Sequence, residues 1–179
     1  FLQTSKIKTI HNGIDLTVFH PGSTPKFDSP KIILGVANIW ERRKGLADFF
    51  KLNELLDDKF KIVLVGLTQK QISSLPNGIH GITRTNSVNE LVNLYSQAFV
   101  FVNPTWEDNF PTTNIEALAC GTPVITYRTG GSVEALDEST GIVVEQGDVL
   151  GLKRAIDQIT ISENKFSISQ CRDRAQYLY

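Results

Sequence analysis

Two polar segments of the sequence carry side chains that could bind an anion or a sugar. The first spans residues 38–45 and contains three consecutive cations, Arg42, Arg43 and Lys44. A predicted helix begins directly after them, at Leu46, and cations near a helix start are unfavourable by about 0.3 to 1 kcal/mol each unless an anion binds there. Helix amide groups with Arg and Lys donors form phosphate sites. The segment therefore indicates a phosphate site, although solvated side chains would give the same pattern.

The second segment spans residues 104–125 and joins a predicted buried strand to a short helix. Two acids, Glu107 and Asp108, are followed by Asn109, two hydroxyl residues and a further acid, Glu116, which is more polar chemistry than a connection needs. Two simpler interpretations stay open. Residues 113–116 match a capping box, in which Glu116 only closes its own helix. Asp108 and Asn109 also suit a turn.

Composition limits the classes of protein that fit. The chain has 179 residues, 18 Lys plus Arg, 19 Asp plus Glu, a net charge of -1 and 41% hydrophobic residues. This predicts one soluble domain, without the basic excess of proteins that bind nucleic acid or anionic membranes. The apolar runs are too short for a transmembrane segment. Cys120 and Cys171 are far apart and the histidines are scattered, so we expect neither a disulfide scaffold nor a metal site.

The pattern along the chain divides it into three parts. Residues 1–30 are rich in turn residues and suggest a linker segment, residues 31–162 alternate short apolar runs with amphipathic stretches, and residues 163–179 form a helical tail. The expected strands are 32–37, 60–65, 79–83, 99–103, 123–126 and 142–145, and the expected helices are 46–56, 69–75, one starting in a capping box at 87–90, 113–120 and 149–159.

Several of these strands lack polar alternation, which predicts that both of their faces are covered. Such strands, separated by helices, are typical of an α/β domain with a Rossmann-like, doubly wound parallel sheet. Ligands of these sheets bind at the carboxyl ends of the strands, where the strand order reverses. We therefore expect the site in the loops after Ala37, Gly66, Thr83, Asn103 and Thr126. The sequence lacks the glycine-rich motifs of dehydrogenases and P-loop NTPases and the nucleophile elbow of hydrolases.

The second segment resembles the signature of family four retaining glycosyltransferases, which have the GT-B fold of two Rossmann-like domains facing across a cleft. That signature is an acid, seven residues and a Glu, followed by Ala-hydrophobic-Ala-x-Gly-x-Pro-Val. Asp108 and Glu116 have this spacing, and residues 116–124 match the rest. Residues 11–21, 44–45, 130–134 and 141–144 resemble other parts of the family in the same order. The resemblance thus covers most of the chain, and its ordered series of motifs is specific.

The resemblance implies a donor domain that binds a nucleotide-diphosphate sugar, and it first assigns the residues that contact the phosphates. Arg43 and Lys44 would neutralise the leaving diphosphate, with help from amide groups at Pro111, Thr112 and Thr113. The sequence contains no Asp-x-Asp, so we expect neither a metal nor another cofactor. The nucleotide sugar is a substrate.

For the rest of the donor, the resemblance assigns one group of residues to each part of the molecule. Asp108, with Asn109 and Phe110, would hold the sugar, and Glu116 would accept hydrogen bonds from the ribose hydroxyls. The loop at 83–85 would flank the base through Arg84 and Thr85. Arg43, Lys44 and Asp108 are therefore the expected catalytic residues.

Two departures from the family pattern affect these assignments. The family often has Glu as its first acid, whereas the spacing here selects Asp108 and leaves Glu107 one position early. The usual Gly-Arg after the first strand is replaced by Ala37-Asn38, in a loop one residue longer. Asn38 could still contact the donor but carries no charge, so Arg43 or Arg42 would make the second phosphate contact.

The chain begins at Phe1 and contains no Met, which indicates a piece of a longer protein. The resemblance implies that an absent N-terminal domain holds the acceptor, a sugar or a lipid-linked sugar, and that the sugar is transferred with retention in polysaccharide or glycoconjugate biosynthesis. We expect the isolated chain to be inactive. We also expect a cytoplasmic location, with any contact to the membrane face made by the missing domain. The alternative is a binding module that recognises a nucleotide sugar or a partner protein without catalysis.

Overall fold

One parallel β-sheet forms the centre of the molecule. The structure, a computed structural model, describes residues 10–22, 30–162 and 165–178. Its six strands are β1 (Lys31–Val36), β2 (Phe60–Val65), β3 (Ile79–Ile82), β4 (Val100–Asn103), β5 (Val124–Tyr127) and β6 (Gly141–Val144). They pair in the order β3-β2-β1-β4-β5-β6, and each neighbouring pair is parallel. The predicted parallel sheet is confirmed.

In the described residues, six helices connect or cover the strands. They are α1 (Leu46–Leu55), α2 (Gln69–Ser73), α3 (Val88–Gln97), α4 (Thr112–Ala119), α5 (Val149–Ile161) and α6 (Ile168–Leu178). Short 3-10 turns lie at Arg42–Lys44 and Gly130–Val133. The predicted strands and helices are present, with bounds within two residues of those expected. In the described part of the chain, no helix combines the length and the apolarity that crossing a bilayer would require.

Alternate residues of the strands enter two separate cores, which explains their continuous apolar sequence. Ile62 and Leu64 of β2 pack with α1 and α5 on one face, while Val63 and Val65 pack with α3 and α4 on the other. The α4 helix also packs against α6. Because both faces are covered by helices, the polar loops collect at the ends of the strands.

The strand order reverses between β1 and β4. From β1 the chain moves outward to β2 and β3, then crosses to β4 on the opposite side of β1. The pairing places Leu34 of β1 beside Phe101 of β4. The loops that follow these two strands therefore start side by side, as the sequence predicts for a ligand site.

Residues 10–22 lie against the body of the domain. Leu16 and Phe19 pack on the α3/α4 core, and the Arg172 guanidinium of α6 donates to their carbonyl oxygens at 2.9 and 2.6 Å. Arg172 also donates to the Ala119 carbonyl at the end of α4, at 3.1 Å. The remainder of the expected linker, 1–9 and 23–29, lies outside the described residues, as do 163–164 and 179 of the tail.

Side chains cap four of the six helix starts. Thr68 and Gln71 form a full capping box at α2, Asp148 caps α5, and Ser167 with Gln170 closes the start of α6. The capping box expected at 87–90 is only half formed: Ser87 accepts from the Glu90 amide. The Glu90 carboxylate instead accepts from the Asn86 amide at 2.6 Å, because it reaches one residue further back.

Candidate functional site

The loops after β1 and β4 are joined by backbone contacts. The Trp106 amide donates to the Arg43 carbonyl at 2.7 Å, and the Thr105 hydroxyl donates to the same oxygen at 3.1 Å. Gly45 has φ 74°, and a Cβ there would collide with the Pro104 carbonyl oxygen. Glycine is needed at this position because of both the left-handed backbone and the close approach. The two polar segments of the sequence thus form one site.

Lys44 and Asp108 form an ion pair between these loops. The Lys44 Nζ lies 2.5 Å from Asp108 Oδ2, and the two side chains are only 20% and 15% exposed. The other carboxylate oxygen of Asp108 accepts from the Phe110 amide at 3.2 Å, which forms a turn. The turn interpretation of Asp108 is therefore correct, but Asp108 also carries the negative charge nearest to Lys44.

Two adjoining cavities surround this ion pair. The Lys44 cavity has a volume of about 310 Å³ and is lined by Val36, Ala37, Asn38, Ile39, Arg43, Lys44, Asp108, Phe110, Pro111, Thr112 and Thr113. The Asn109 cavity has a volume of about 380 Å³ and is lined by Asn12, Arg43, Glu107, Asp108, Asn109 and Phe110. Most of the expected donor residues line one or both cavities.

Arg43, Asp108 and Phe110 line both cavities and so stand between them. The exposed Arg43 donates to the Glu41 carboxylate at 3.2 Å and lies 3.5 Å from the Glu107 carbonyl. Glu107 lines the Asn109 cavity but not the Lys44 cavity. Of these two acids, Asp108 is consequently the one that lines both cavities.

The α4 helix begins at the Lys44 cavity without a side-chain cap. Its N-cap residue is Pro111, which has φ -73° and forms no capping hydrogen bond. Within the described residues, the amide groups of Thr112 and Thr113 have no acceptor. These two donors and the positive end of the helix dipole lie at the cavity wall, which is the arrangement of an anion site.

A buried network holds the start of α4 in place. Asn114 is fully buried, and its side chain accepts from the Asn103 amide at 2.8 Å and donates to the Ser132 carbonyl at 3.1 Å. The Thr126 hydroxyl donates to the Asn103 carbonyl at 2.9 Å. The helix is therefore tied to β4, β5 and the 3-10 turn. The sequence analysis did not predict this network. The polar Asn114, which lies between Asp108 and Glu116 in the signature, was the residue that could have indicated it.

Glu116 lies one turn into α4 and contacts Tyr95 of α3. The Tyr95 hydroxyl donates to Glu116 Oε2 at 2.9 Å. Burial raises the pKa of the Glu116 carboxyl, and hydrogen bonds from Tyr95 and Thr112 partly offset that rise. Burial, with the nearby Glu116 charge, also raises the pKa of Tyr95 well above its ordinary value, so Tyr95 stays a neutral donor. The sequence analysis did not identify Tyr95 as part of the site.

The capping-box interpretation of Glu116 is wrong. The helix starts at Thr112 with Pro111 as its N-cap residue, so Thr113 already lies inside the first turn. Proline suits this boundary because its φ is fixed near the helical value and its missing amide hydrogen needs no acceptor. The Glu116 carboxylate instead accepts hydrogen bonds from Tyr95 and Thr112.

Three expected donor residues, Arg84, Thr85 and Glu116, line neither of the two cavities. Arg84 and Thr85 follow β3, which is separated from β1 by β2, and neither residue lines the Lys44 or the Asn109 cavity. Arg84 is exposed. Their contact with a nucleotide base stays a prediction.

His11 connects the N-terminal segment to the site. Its ring stacks on Phe110 with centroids 4.6 Å apart, and its Nε2 lies 2.6 Å from a Glu134 carboxylate oxygen. Gly130 and Gly131 pack against the backbone of Asp108 and Asn109. The Gly131 amide donates to the Asn109 carbonyl at 2.9 Å. The loop that carries Asp108 is therefore supported from both sides. The sequence analysis noted these motifs but not this contact.

Among the described residues, no group of three or more His, Cys, Asp and Glu side chains is placed to hold a metal ion. The charged groups facing the Lys44 cavity are instead Arg43, Lys44 and Asp108. The chemistry available at this site is the binding of an anion by two cations and a helix start.

Comparison with known proteins supports the same interpretation. The family described as "Glycosyl transferases group 1" matches residues 30–161. The chain is 28% identical over 172 residues to a D-inositol 3-phosphate glycosyltransferase of Thermobifida fusca. It is 32% identical over 149 residues to the capsular polysaccharide biosynthesis glycosyltransferase CapM of Staphylococcus aureus. The alignments include 80% and 78% of this chain but only 39% of each relative.

The fold is also found in a solved structure. HepE of Anabaena, solved in complex with UDP and glucose, superimposes with a TM-score of 0.82 at 17% sequence identity. The match covers 99% of this chain and 54% of that protein. The Rossmann-like domain of a GT-B glycosyltransferase is therefore its fold, and the chain belongs to the group 1 glycosyltransferases.

Proposed function

We propose that this chain is the donor-binding domain of a retaining glycosyltransferase. It binds a nucleotide-diphosphate sugar, and the sugar is transferred to an acceptor held by a second domain. The observation that carries the proposal is the Lys44 cavity, where two cations and the uncapped start of α4 face the same space. Polysaccharide or glycoconjugate biosynthesis is the proposed setting, supported by the similarity to CapM.

The diphosphate occupies the Lys44 cavity. Lys44 and Arg43 provide positive charge, and the Thr112 and Thr113 amide groups donate to the phosphate oxygens. As the bond from the sugar to the diphosphate breaks, negative charge grows on the leaving group. Fixed donors that already point at that position lower the barrier, since they need no reorganisation during the reaction.

The sugar and the ribose lie on opposite sides of the diphosphate. The Asn109 cavity, which shares Arg43 and Asp108 with the Lys44 cavity, takes the sugar. Asp108 accepts from a sugar hydroxyl once the diphosphate competes for Lys44. Glu116 takes the ribose hydroxyls, with Tyr95 fixing the orientation of its carboxylate. Arg84 and Thr85 are the proposed contacts of the base.

Titration calorimetry with UDP, GDP and ADP in EDTA tests the donor site. We expect one of the three to bind without added metal, and UDP is the first to try because HepE was solved with it. A ligand at about 100 times its dissociation constant would also stabilise the fold by roughly 2.7 kcal/mol in a melting experiment. Binding that requires magnesium or manganese would contradict the proposed site.

Two further parts of the proposal concern the reaction. The 179-residue chain alone transfers no sugar at a useful rate, because Glu107 and Asn109 at the sugar side are exposed to solvent and the acceptor lies on another domain. Robust transfer to a defined acceptor by the purified chain would disprove this. Retention is tested with the two-domain enzyme, by reading the anomeric configuration of the product by NMR.

A further inference from the structure

The N-terminal segment forms part of the wall of the proposed sugar site. Asn12 lines the Asn109 cavity beside Asp108. Its neighbour His11 stacks on Phe110, with ring centroids 4.6 Å apart and an angle of 22° between the ring planes. Because both residues precede β1 in the chain, the loops that follow the strands do not complete this site alone.

Phe110 connects His11 to the Asp108 carboxylate. The Phe110 side of the stack lines both the Lys44 and the Asn109 cavity. The Phe110 amide donates to Asp108 Oδ1 at 3.2 Å, and the other carboxylate oxygen pairs with Lys44. The orientation of Asp108 therefore depends on the position of the Phe110 backbone. A pair of stacked aromatic rings stabilises one arrangement of the two side chains beyond the effect of the area that it buries.

The 3-10 turn at Gly130–Val133 supports both members of this stack. A Cβ on Gly131 would lie 3.0 Å from Phe110 Cδ2, so glycine at this position lets the Phe110 ring approach the turn closely. His11 Nε2 lies 2.6 Å from a carboxylate oxygen of Glu134, the residue that follows the turn. The turn thus contacts Phe110 directly and holds His11 through Glu134.

The main anchor of the N-terminal segment lies away from His11. Leu16 and Phe19 pack on the α3/α4 core, and Arg172 of α6 donates to their carbonyl oxygens at 2.9 and 2.6 Å. None of these contacts involves His11 or Phe110. Removal of the His11 ring therefore leaves this anchor in place, and the effect of the stack can be measured separately from the docking of the segment.

We propose that His11 is a positioning residue for the donor sugar. By stacking on Phe110, it holds the turn at 108–110 in the conformation in which Asp108 accepts from a sugar hydroxyl. This role rests on the proposed function, which places the sugar in the Asn109 cavity and the diphosphate in the Lys44 cavity. His11 lines neither cavity, so it acts through Phe110 and not on the ligand itself.

Calorimetry with two ligands distinguishes this role from a general effect on the fold. UDP-glucose and UDP are the probes, because HepE was solved in complex with each of them. His11→Ala should weaken UDP-glucose by about threefold to tenfold, the range for the loss of an aromatic pair. UDP should bind as it does to the parent chain, since the buried Asn114 network holds the start of α4. A loss of stability alone would lower the melting temperature without changing the ratio of the two affinities.

Two further variants identify the contact that matters. His11→Phe keeps an aromatic ring over Phe110 but removes the pair with Glu134, so it should restore the affinity for UDP-glucose. His20→Ala is the matched control, because His20 is an exposed histidine of the same segment whose ring lies 3.2 Å from the Pro21 carbonyl oxygen. This control should bind both ligands as the parent chain does.

Hydrogen exchange measured by NMR without ligand tests the stack by itself. The Gly131 amide donates to the Asn109 carbonyl at 2.9 Å, so its exchange rate reports whether the loop stays on the turn. We expect faster exchange at Gly131 in His11→Ala than in the parent chain. The rate in His20→Ala should be unchanged.

The outcomes separate this inference from the donor site. If UDP binds and His11→Ala either keeps full affinity for UDP-glucose or loses both ligands equally, the inference is wrong and the donor site stands. A His11→Phe variant as weak as His11→Ala would also overturn it. If UDP fails to bind the parent chain, the donor proposal is wrong. Unchanged exchange at Gly131 in His11→Ala would then overturn the positioning role as well, whereas faster exchange would show that His11 orders the loop.

Discussion

The six helices in the described part of the chain begin in two different ways. The starts of α2, α3, α5 and α6 are closed by Thr68, Ser87, Asp148 and Ser167, whose side chains accept from helix amide groups. The starts of α1 and α4 have Gly45 and Pro111 at the N-cap, and neither forms a side-chain cap. These two helices follow β1 and β4, the strands at which the sheet order reverses.

The difference shows where the protein keeps free donors. A capping side chain contributes about 1 kcal/mol and uses a helix amide group that could otherwise bind a ligand. The start of α4 lies beside the Lys44 cavity, which Arg43 and Lys44 also line. The start of α1, at Gly45, lies beside a cavity that Arg42 and Arg43 line. A missing cap next to several cations is therefore a structural sign of an anion site, and it can be tested one helix at a time.

The largest expected effect contrasts a lysine at an uncapped start with one at a capped start. Lys44→Ala should weaken UDP by about 3 kcal/mol, the upper end for a charged hydrogen bond, because it also leaves Asp108 unpaired near the diphosphate. Lys70→Ala, in the first turn of the capped α2, should leave UDP affinity unchanged. Calorimetry on both variants measures the contrast, and equal losses would contradict it.

A second contrast compares a glutamate of α4 with one of α3. Glu116→Gln should weaken UDP by about 1.5 to 3 kcal/mol, since the charged acceptor of the ribose hydroxyls is lost. Glu90→Gln should not affect UDP, because the Glu90 carboxylate already accepts from the Asn86 amide. Normal UDP binding by the Glu116 variant would return Glu116 to a structural role.

The raised pKa of Glu116 adds a prediction about pH. Because its folded-state pKa lies above the unfolded value, the folded protein holds the proton more tightly, and stability falls as pH rises through that pKa. Glu116→Gln should thus melt at an equal or higher temperature than the parent near pH 7. UDP affinity should fall as pH drops through the same pKa, and the variant should retain only the pH dependence of the diphosphate itself.

A third contrast exchanges the caps of the two helices. Pro111→Ser would give α4 a side-chain cap, so we expect a stability gain of up to about 1 kcal/mol and a loss of UDP affinity of similar size. Ser87→Ala removes the cap of α3 and should cost about 1 kcal/mol of stability with no change in UDP affinity. Thermal melts and calorimetry together give this crossed pattern. A Pro111→Ser variant that binds UDP at full strength would show that the α4 amide groups do not contact the diphosphate.

The smallest expected effect on UDP belongs to Asp108. Asp108→Asn removes the partner of Lys44 but leaves the cation in place, so UDP should bind about as tightly as to the parent chain. The corresponding nucleotide sugar should be weakened, because a charged acceptor of a sugar hydroxyl is lost. Calorimetry with both ligands measures the difference. Equal losses for the two ligands would limit Asp108 to its turn and its ion pair.

The sequence predicted the sheet well, and two of the five loops expected at the site, those after β1 and β4, line the Lys44 and Asn109 cavities. The continuous apolar run at Ile62–Val65 predicted a strand that is covered on both faces. The spacing of the apolar residues and the length of each segment distinguished the helices from the strands. The spacing of Asp108 and Glu116 located the second polar loop. These features are local, because they depend on residues that are neighbours along the chain.

The helix starts were predicted less well, since caps depend on geometry of a few tenths of an ångström. The pattern at 113–116 matched a capping box, but Pro111 begins the helix earlier. The full box at Thr68 and Gln71 was not recognised. The spacing of residues in the sequence indicates which side chains could reach a helix amide group. The backbone conformation at the start of the helix determines which of them does.

The sequence by itself determined the fold class, the pair of polar loops and the excess of cations before α1. Only the tertiary structure decided that Lys44 meets Asp108, that Tyr95 rather than a helix amide group binds Glu116, and that Arg42 faces away from the Lys44 cavity. The physical reason is the strand order. It places β4 beside β1 although 63 residues separate Val36 from Val100, so contacts between the two loops appear only when the sheet is assembled.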